Sequence, residues 1–443
     1  MKRIVFAIIT DMQLCSCLME GQRPRCPRTP RTASLQKTVQ RAITLAGLIL
    51  VNVSAAAASS CPPAFSTAVG TQTVGVRYKF TDDSALVETA KTIQDLGCDT
   101  LKIAITPKYT DDYKMTADPE IKSALDLVSR KPDFKQVFDM PFRNIMLWLY
   151  PFSDTKSGFF TGEIPKPEAD AIYREIYDFT EHILKTYSGS GKSFFFGNWE
   201  GDWHMTKETY DYNMDPSPET IKGAIAWFNL RQKAIADAVR DTPHHDVQVF
   251  YYIELNHVKK SMEDGRPTIV NTVLPHIKTD YVSWSSYDIT TEAAKLGGGK
   301  GKQRVLDALD YIEKHLPESD IPGKRVFVGE YGFNLQQVAD GDVQKSCSQS
   351  IIKWCLEWGC PFVLYWELYC NEIDPSTGEH RGFWLIDKNG DKQPAWFLHR
   401  DFLRKANRFV EQFEKKNGRL PDQAEYNRKA RSWIEQLKSG VLK

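Results

Sequence analysis

Two glutamates stand where apolar runs give way to polar residues. Glu200 ends the segment Ser193-Phe-Phe-Phe-Gly-Asn-Trp-Glu200-Gly-Asp-Trp-His204, and Glu330 ends Arg325-Val-Phe-Val-Gly-Glu330-Tyr-Gly-Phe-Asn334. A pair of carboxyls facing each other is what glycosidic cleavage needs: one protonates the leaving oxygen while the other attacks or stabilises the positively charged sugar. The acid must be protonated and the nucleophile ionised at the same pH, so their surroundings must push the two pKa values apart. Trp199 and Trp203 are placed to shield Glu200 and raise its pKa.

Carboxyls 130 positions apart meet only if a regular scaffold brings them together, and the remaining pattern supplies one. Eight short apolar runs alternate with helical stretches: Val74–Phe80, Leu101–Ile105, Asn144–Tyr150, Ser193–Trp199, Gln248–Leu255, Tyr281–Ser286, Arg325–Gly329 and Phe362–Trp366. Continuous apolar strands separated by helices read as βα units around a parallel sheet covered on both faces. The helical stretches carry 3.6-residue stripes, Ile172, Ile176, Phe179 and Ile183 in one and Val305, Leu309, Ile312 and Leu316 in another. Pro167 suits a first turn, and Gly97 and Gly359 suit C-caps. Eight strands without an early Gly-x-Gly-x-x-Gly predict an α/β fold, a closed (β/α)8 TIM barrel, with Pro394–Asn417 as its closing helix and Arg419–Lys443 as an extra C-terminal helix. The expected organisation is an N-terminal segment over 1–60, the barrel over 61–418 and the helical extension over 419–443.

In such a barrel the active site forms at the C-terminal ends of the strands, and strands four and seven face each other across the mouth. The pattern resembles the retaining (β/α)8 glycoside hydrolases of clan A. Glu330 in Val-Gly-Glu-Tyr-Gly is similar to the clan's nucleophile segment, Tyr287 after Ser283-Trp-Ser-Ser to the tyrosine that hydrogen-bonds it, and Trp366 to the sugar-platform tryptophan. The resemblance implies Glu200 as acid/base and Asn198 as a contact to a sugar 2-hydroxyl. The clan has Asn directly before its acid/base, whereas Trp199 here separates Asn198 from Glu200, so a bulge must restore the register or Asp202 must serve instead.

Aromatic residues gather at the strand ends (Trp148, Tyr150, Trp199, Trp203, Trp284, Tyr331, Trp366, Trp384), where some form core and some offer faces to sugar C–H groups; Trp203, Trp284 and Trp366 are the expected substrate contacts. His204, Glu254, Asn256, His257 and Glu367 are further candidates. The expected reaction is double displacement at an O-glycosidic bond of an oligo- or polysaccharide, with no metal and no cofactor; β-linkage comes from the resemblance alone. A silent carbohydrate-binding barrel, or an isomerase or aldolase using Lys79 or Lys102, stays open as an alternative.

Other function classes find little support. Lys+Arg and Asp+Glu each total 57 of 443 residues, which leaves no net field for nucleic acid. Gly297–Lys302 lacks the glycine and hydroxyl spacing of a phosphate loop and reads as a flexible loop. There is no His-Glu-x-x-His for zinc and no Gly-x-Ser-x-Gly elbow. Basic residues up to Arg41, the apolar run Ala42–Val53 and the small residues Ser54–Ala58 read as an export signal cleaved near Ala57 or Ala58, which implies a secreted or periplasmic protein with no membrane span in the mature chain. The alternative is a membrane anchor, for which the run is short. Six cysteines (Cys61, Cys98, Cys347, Cys355, Cys360, Cys370) would then remain, an even number suited to disulfides of undetermined connectivity.

Overall fold

The computed structural model describes residues 68–156, 159, 161–207 and 209–437. The export-signal segment and Cys61 lie outside the described residues. Eight parallel strands follow one another around the sheet in the order β1-β8-β7-β6-β5-β4-β3-β2. They are β1 Val69–Gln72, β2 Thr100–Ile105, β3 Asn144–Leu149, β4 Lys192–Gly197, β5 Val247–Leu255, β6 Tyr281–Ser285, β7 Val326–Tyr331 and β8 Val363–Trp366. Nearly every strand residue is buried, as expected when side chains fill the lumen on one side and meet helices on the other. With the surrounding helices this is a (β/α)8 barrel.

The helices bury the predicted stripes: Ile172, Ile176, Phe179 and Ile183 on Lys166–Thr186, and Val305, Leu309 and Ile312 on Gly298–Lys314. Pro167 lies in the first turn of the former. Gly97 and Gly359 cap their helices in the left-handed region. The fifth unit is short, a helix Val258–Asp264 followed by single π and 3-10 turns up to His276.

Three expectations need correction. The first strand is Val69–Gln72, not Val74–Phe80: Gly75 turns the chain with φ 71°, and the alternating residues beyond it form the loop at the mouth. Gly297–Lys302 is not a flexible loop but opens the helix Gly298–Lys314. Gly297 at φ 61° makes the sharp reversal from Tyr287–Leu296, and a side chain at Gly301 would run into the Ala293 carbonyl 2.1 Å away. The described cysteines are not paired either. Cys98, Cys347, Cys355, Cys360 and Cys370 all carry free thiols, and four of them are buried among apolar side chains, where thiols act as small hydrophobes.

The final helix, Gln423–Gln436, packs on the barrel's outer layer, and the buried Tyr426 hydroxyl accepts a hydrogen bond from the Ala68 main chain at 3.3 Å, beside the start of β1. No helix among the described residues is long and apolar enough to cross a membrane.

Candidate active site

β4 ends at Gly197, and the next three residues leave strand geometry. Asn198 turns inward and is fully buried. Its amide donates to the Glu254 carbonyl at 3.0 Å, and its amide oxygen accepts from the Glu254 N–H at 3.1 Å. Asn198 therefore stitches β4 to β5 where the ladder has stopped, and its side chain is not presented to the mouth. The inserted Trp199 is accommodated by this turn rather than by a strand bulge. Glu200 follows at φ 24°, ψ 69°, a conformation few non-glycine residues adopt, and precedes the short helix Gly201–Met205. Asp202 spends its carboxylate on three main-chain N–H groups: those of Asn256 at 2.9 Å, His257 at 3.2 Å and Ile269 at 2.8 Å. It fastens the loops after β4 and β5 and is not free to serve as an acid.

The bulge lies on the opposite side. Along β6 and β7, Trp284 faces Val328 and Ser285 faces Glu330, so Gly329 is the extra residue. Only glycine fits there, because a Cβ would stand 1.8 Å from Ser283 Oγ. Ser286 grips the Glu330 carbonyl through both its N–H (2.9 Å) and its hydroxyl (2.8 Å). The Glu330 side chain is thereby turned toward Glu200 across the lumen.

Ser285 joins the two carboxyls. Its hydroxyl lies in hydrogen-bond contact with Glu200 Oε1 and stands 3.4 Å from Glu330 Oε2. A hydroxyl touching both bounds their nearest oxygens to at most about 6 Å apart, two hydrogen-bond lengths. Tyr287 Oη is also 3.4 Å from Glu330 Oε2. Burial, foremost, lifts Glu200 to about 8, opposed by the Ser285 hydrogen bond and reinforced by the nearby Glu254 charge. Burial and the neighbouring Glu254 and Glu200 raise Glu330 as well, while Lys102 and Tyr287 act to lower it.

Two hollows meet at these groups. One, of about 480 Å³, reaches past Tyr210, Asn334 and Phe383 toward the Glu372–Arg381 ion pair; the other, of about 540 Å³, reaches past Tyr212, Asn256, His257 and Asp288. Glu200, Trp203 and Tyr287 line both. Trp203 stands beside Glu200, and its indole N–H is 2.8 Å from the Asn256 amide when that oxygen is turned toward it. Trp366 closes the β8 side beside Trp148, with Nε1 3.2 Å from Glu372 Oε1. Trp284 is fully buried behind β6 and lines neither hollow. Of the expected residues, Glu200, Trp203 and Tyr287 line the hollows, Glu330 and Trp366 lie buried directly behind them, and Asn198 and Trp284 stay in the wall. Sequence reasoning missed Ser285, although it shares strand parity with the inward Ser283, and it missed Asn334, Glu372 and Arg381 on irregular loops.

The sequence matches no family profile and no curated protein. Solved structures do match. A GH5_18 protein from Streptomyces cattleya in complex with Manb1-4GlcNAc is 12% identical over 77% of this chain and 80% of its own, at a TM-score of 0.50. An exo-β-1,4-mannosidase from Opitutaceae bacterium strain TAV5 is also 12% identical, over 77% of this chain but only 60% of its own, at a TM-score of 0.50. The barrel is theirs. At such identity the likeness concerns the fold, and function rests on the residues at the mouth.

Proposed function

We propose that this chain is a retaining glycoside hydrolase in which Glu330 attacks the anomeric carbon and Glu200 acts first as acid, then as base. The observation that carries the reading is the Ser285 hydroxyl held between two buried carboxyls of opposite strands. The short span it implies favours retention, for which carboxyls lie about 5–5.5 Å apart, over inversion, which needs about 6.5–9.5 Å to admit a water. In the first step the Glu200 proton passes to the leaving oxygen as Glu330 bonds to the sugar. In the second, Glu200 takes a proton from water, which displaces Glu330 and restores both groups. Trp203 and Trp366 offer ring faces to the sugar, and the two hollows leave room on both sides of the cleaved bond.

The substrate class is a β-linked oligo- or polysaccharide. Because the names of both matched structures concern β-1,4-linked mannose, β-mannosides belong first in the panel. An activated fluoro-glycoside panel followed by peptide mass mapping tests the reading: covalent label on Glu330 and products of retained anomeric configuration are expected. Inverted products would end the double-displacement mechanism, and tight oligosaccharide binding without turnover would make the barrel a binding protein. Export rests on the apolar run and small residues before Ser59, and N-terminal sequencing of the mature protein should begin close to Ala58.

A further inference from the structure

Beneath the two carboxyls lies an ion pair that the mechanism above does not use. Lys102 of β2 and Glu254 of β5 are both fully buried in the lumen, with Nζ 2.7 Å from Oε2. The same ammonium is 3.2 Å from the Gly329 carbonyl, 3.7 Å from Glu330 Oε1 and 4.6 Å above the Trp148 ring. Glu254 reaches both sides of the site. Its Oε2 also accepts from Ser283 Oγ at 2.7 Å, and its Oε1 accepts from the Glu200 main-chain N–H at 3.3 Å. Glu330 Oε1 is buried and has no hydrogen bond, so Lys102 is the positive group that faces it.

We propose that Lys102 and Glu254 are a positioning pair that divides charge between the two catalytic carboxyls: Glu254 anchors the Lys102 ammonium under Glu330 and holds the Glu200 backbone in its turn, so that Glu330 stays ionised and the proton resides on Glu200. This rests on the glycosidase reading for its consequence in the reaction, while the charge arrangement itself does not need it. The reason is proximity. Buried this deeply, three carboxyls cannot all be ionised around one ammonium, and the unpaired one takes a proton. Lys102 contacts Glu254 and approaches Glu330, whereas Glu200 meets the neutral Ser285 hydroxyl. Among the described residues, the other cations lining the hollows are paired elsewhere, Arg381 with Glu372 at 2.8 Å and Lys259 with Glu292 at 3.1 Å. Gln72 of β1 donates to the Gly329 carbonyl at 2.7 Å, β3 contributes the Trp148 ring and β6 the hydroxyls of Ser283 and Ser285, with Tyr287 just beyond. Past β8 stands Glu367, a further buried carboxyl whose ionisation and that of Glu330 oppose each other. Burial and neighbouring carboxyls raise both Glu200 and Glu330, and Lys102 ranks ahead of Tyr287 among the influences that bring Glu330 back down.

The test uses the full-length protein and the two charge-removing variants Lys102→Met and Glu254→Gln, with Lys102→Arg as the conservative control. Carboxyl protonation is read by difference infrared spectroscopy at neutral pH, and the limbs of the kcat/KM profile by kinetics. In the parent, one component of the protonated-carboxyl band should be lost in Glu200→Gln and none in Glu330→Gln, against the constant background of the other buried acids. Lys102→Met should add a second protonated carboxyl and move the acidic limb up by about one pH unit or more, with kcat falling and KM little changed. Glu254→Gln should move the basic limb down, because a charge that opposes ionisation of Glu200 is gone, and Lys102→Arg should restore the parent acidic limb. Opposite limbs moving in opposite directions is a pattern that general loosening of the barrel would not produce. Should Lys102→Met not fold, Lys102→Gln, which keeps a polar end, removes the same single charge and is read the same way, with a further protonated carboxyl expected. The proposal is overturned if the parent band belongs to Glu330, or if neither variant changes the band or the limbs. A protein that cleaves no glycoside yet shows these infrared changes would sink the glycosidase reading and leave the charge pair standing.

Discussion

Glu200 is held at about 8 chiefly because it is buried, so it remains protonated where an exposed glutamate is ionised. As general acid it must carry its proton, and activity is therefore expected to fall as pH rises through about 8. Glu200→Gln should lower kcat by about 10³-fold on substrates with poor leaving groups and abolish this basic limb, which a pH-rate profile measures. A retained limb would remove Glu200 from the acid role. Ser285 gives a finer test. Its hydrogen bond lowers the Glu200 pKa, so Ser285→Ala should shift the limb upward by roughly half to one pH unit, together with a modest loss of kcat.

At the scale of elements, the site depends on how β4 and β7 end. β7 carries its extra residue at Gly329, where an added Cβ would meet Ser283 Oγ at 1.8 Å and Glu254 Oε2 at 3.0 Å. Gly329→Ala must displace buried polar groups beneath both Glu200 and Glu330. A loss of about 1–3 kcal/mol, measured by denaturant unfolding, and loss of turnover are expected. Gly299 makes the contrast: it lies in the first turn of Gly298–Lys314 with open space around its Cβ position. Gly299→Ala should leave turnover unchanged and stabilise the fold by a few tenths to about 1 kcal/mol. If the two substitutions behaved alike, the bulge would not be what aims Glu330.

Across the whole molecule, buried acids set how stability responds to pH. Glu200 rises from its ordinary 4.5 to about 8, Asp288 from 3.8 to about 7 and Asp280 from 3.8 to about 6, each mainly through burial, and burial raises Glu367 as well. A raised folded-state pKa means that the native state holds protons the unfolded chain has released. The stability contributed is complete below about 4 and is lost as pH climbs through about 6 to 8. Thermal midpoints should therefore decline over that window, and Glu200→Gln should flatten part of the decline. The last helix belongs to the same compact unit as the barrel. Ending the chain at Gly418 strips Tyr426 from Ala68 and uncovers the outer layer, so a lower thermal midpoint is expected of the truncated protein.

Legibility followed the periodicity of the chain. Helix stripes, the helix Pro394–Asn417 and seven of the eight strands could be read to within two or three residues at their ends, because burial of one helix face or both sheet faces is written directly in residue type. Val74–Phe80 deceived because alternation in a mouth loop imitates a strand, and Gly297–Lys302 because glycines that fit a tight helix start look like those of a loop. Glu200 and Glu330 were visible as carboxyls ending apolar runs. Their relation was not. The turn that sends Asn198 into the wall, the bulge at Gly329, the Ser285 bridge and the Lys102–Glu254 pair all join residues from different strands, and no single strand records what its neighbours leave room for. The sequence by itself determined the alternation of strands and helices and which carboxyls lie at strand ends, since these follow from local burial; closing the barrel alone decided which of them face each other, how far apart, and beside which charge.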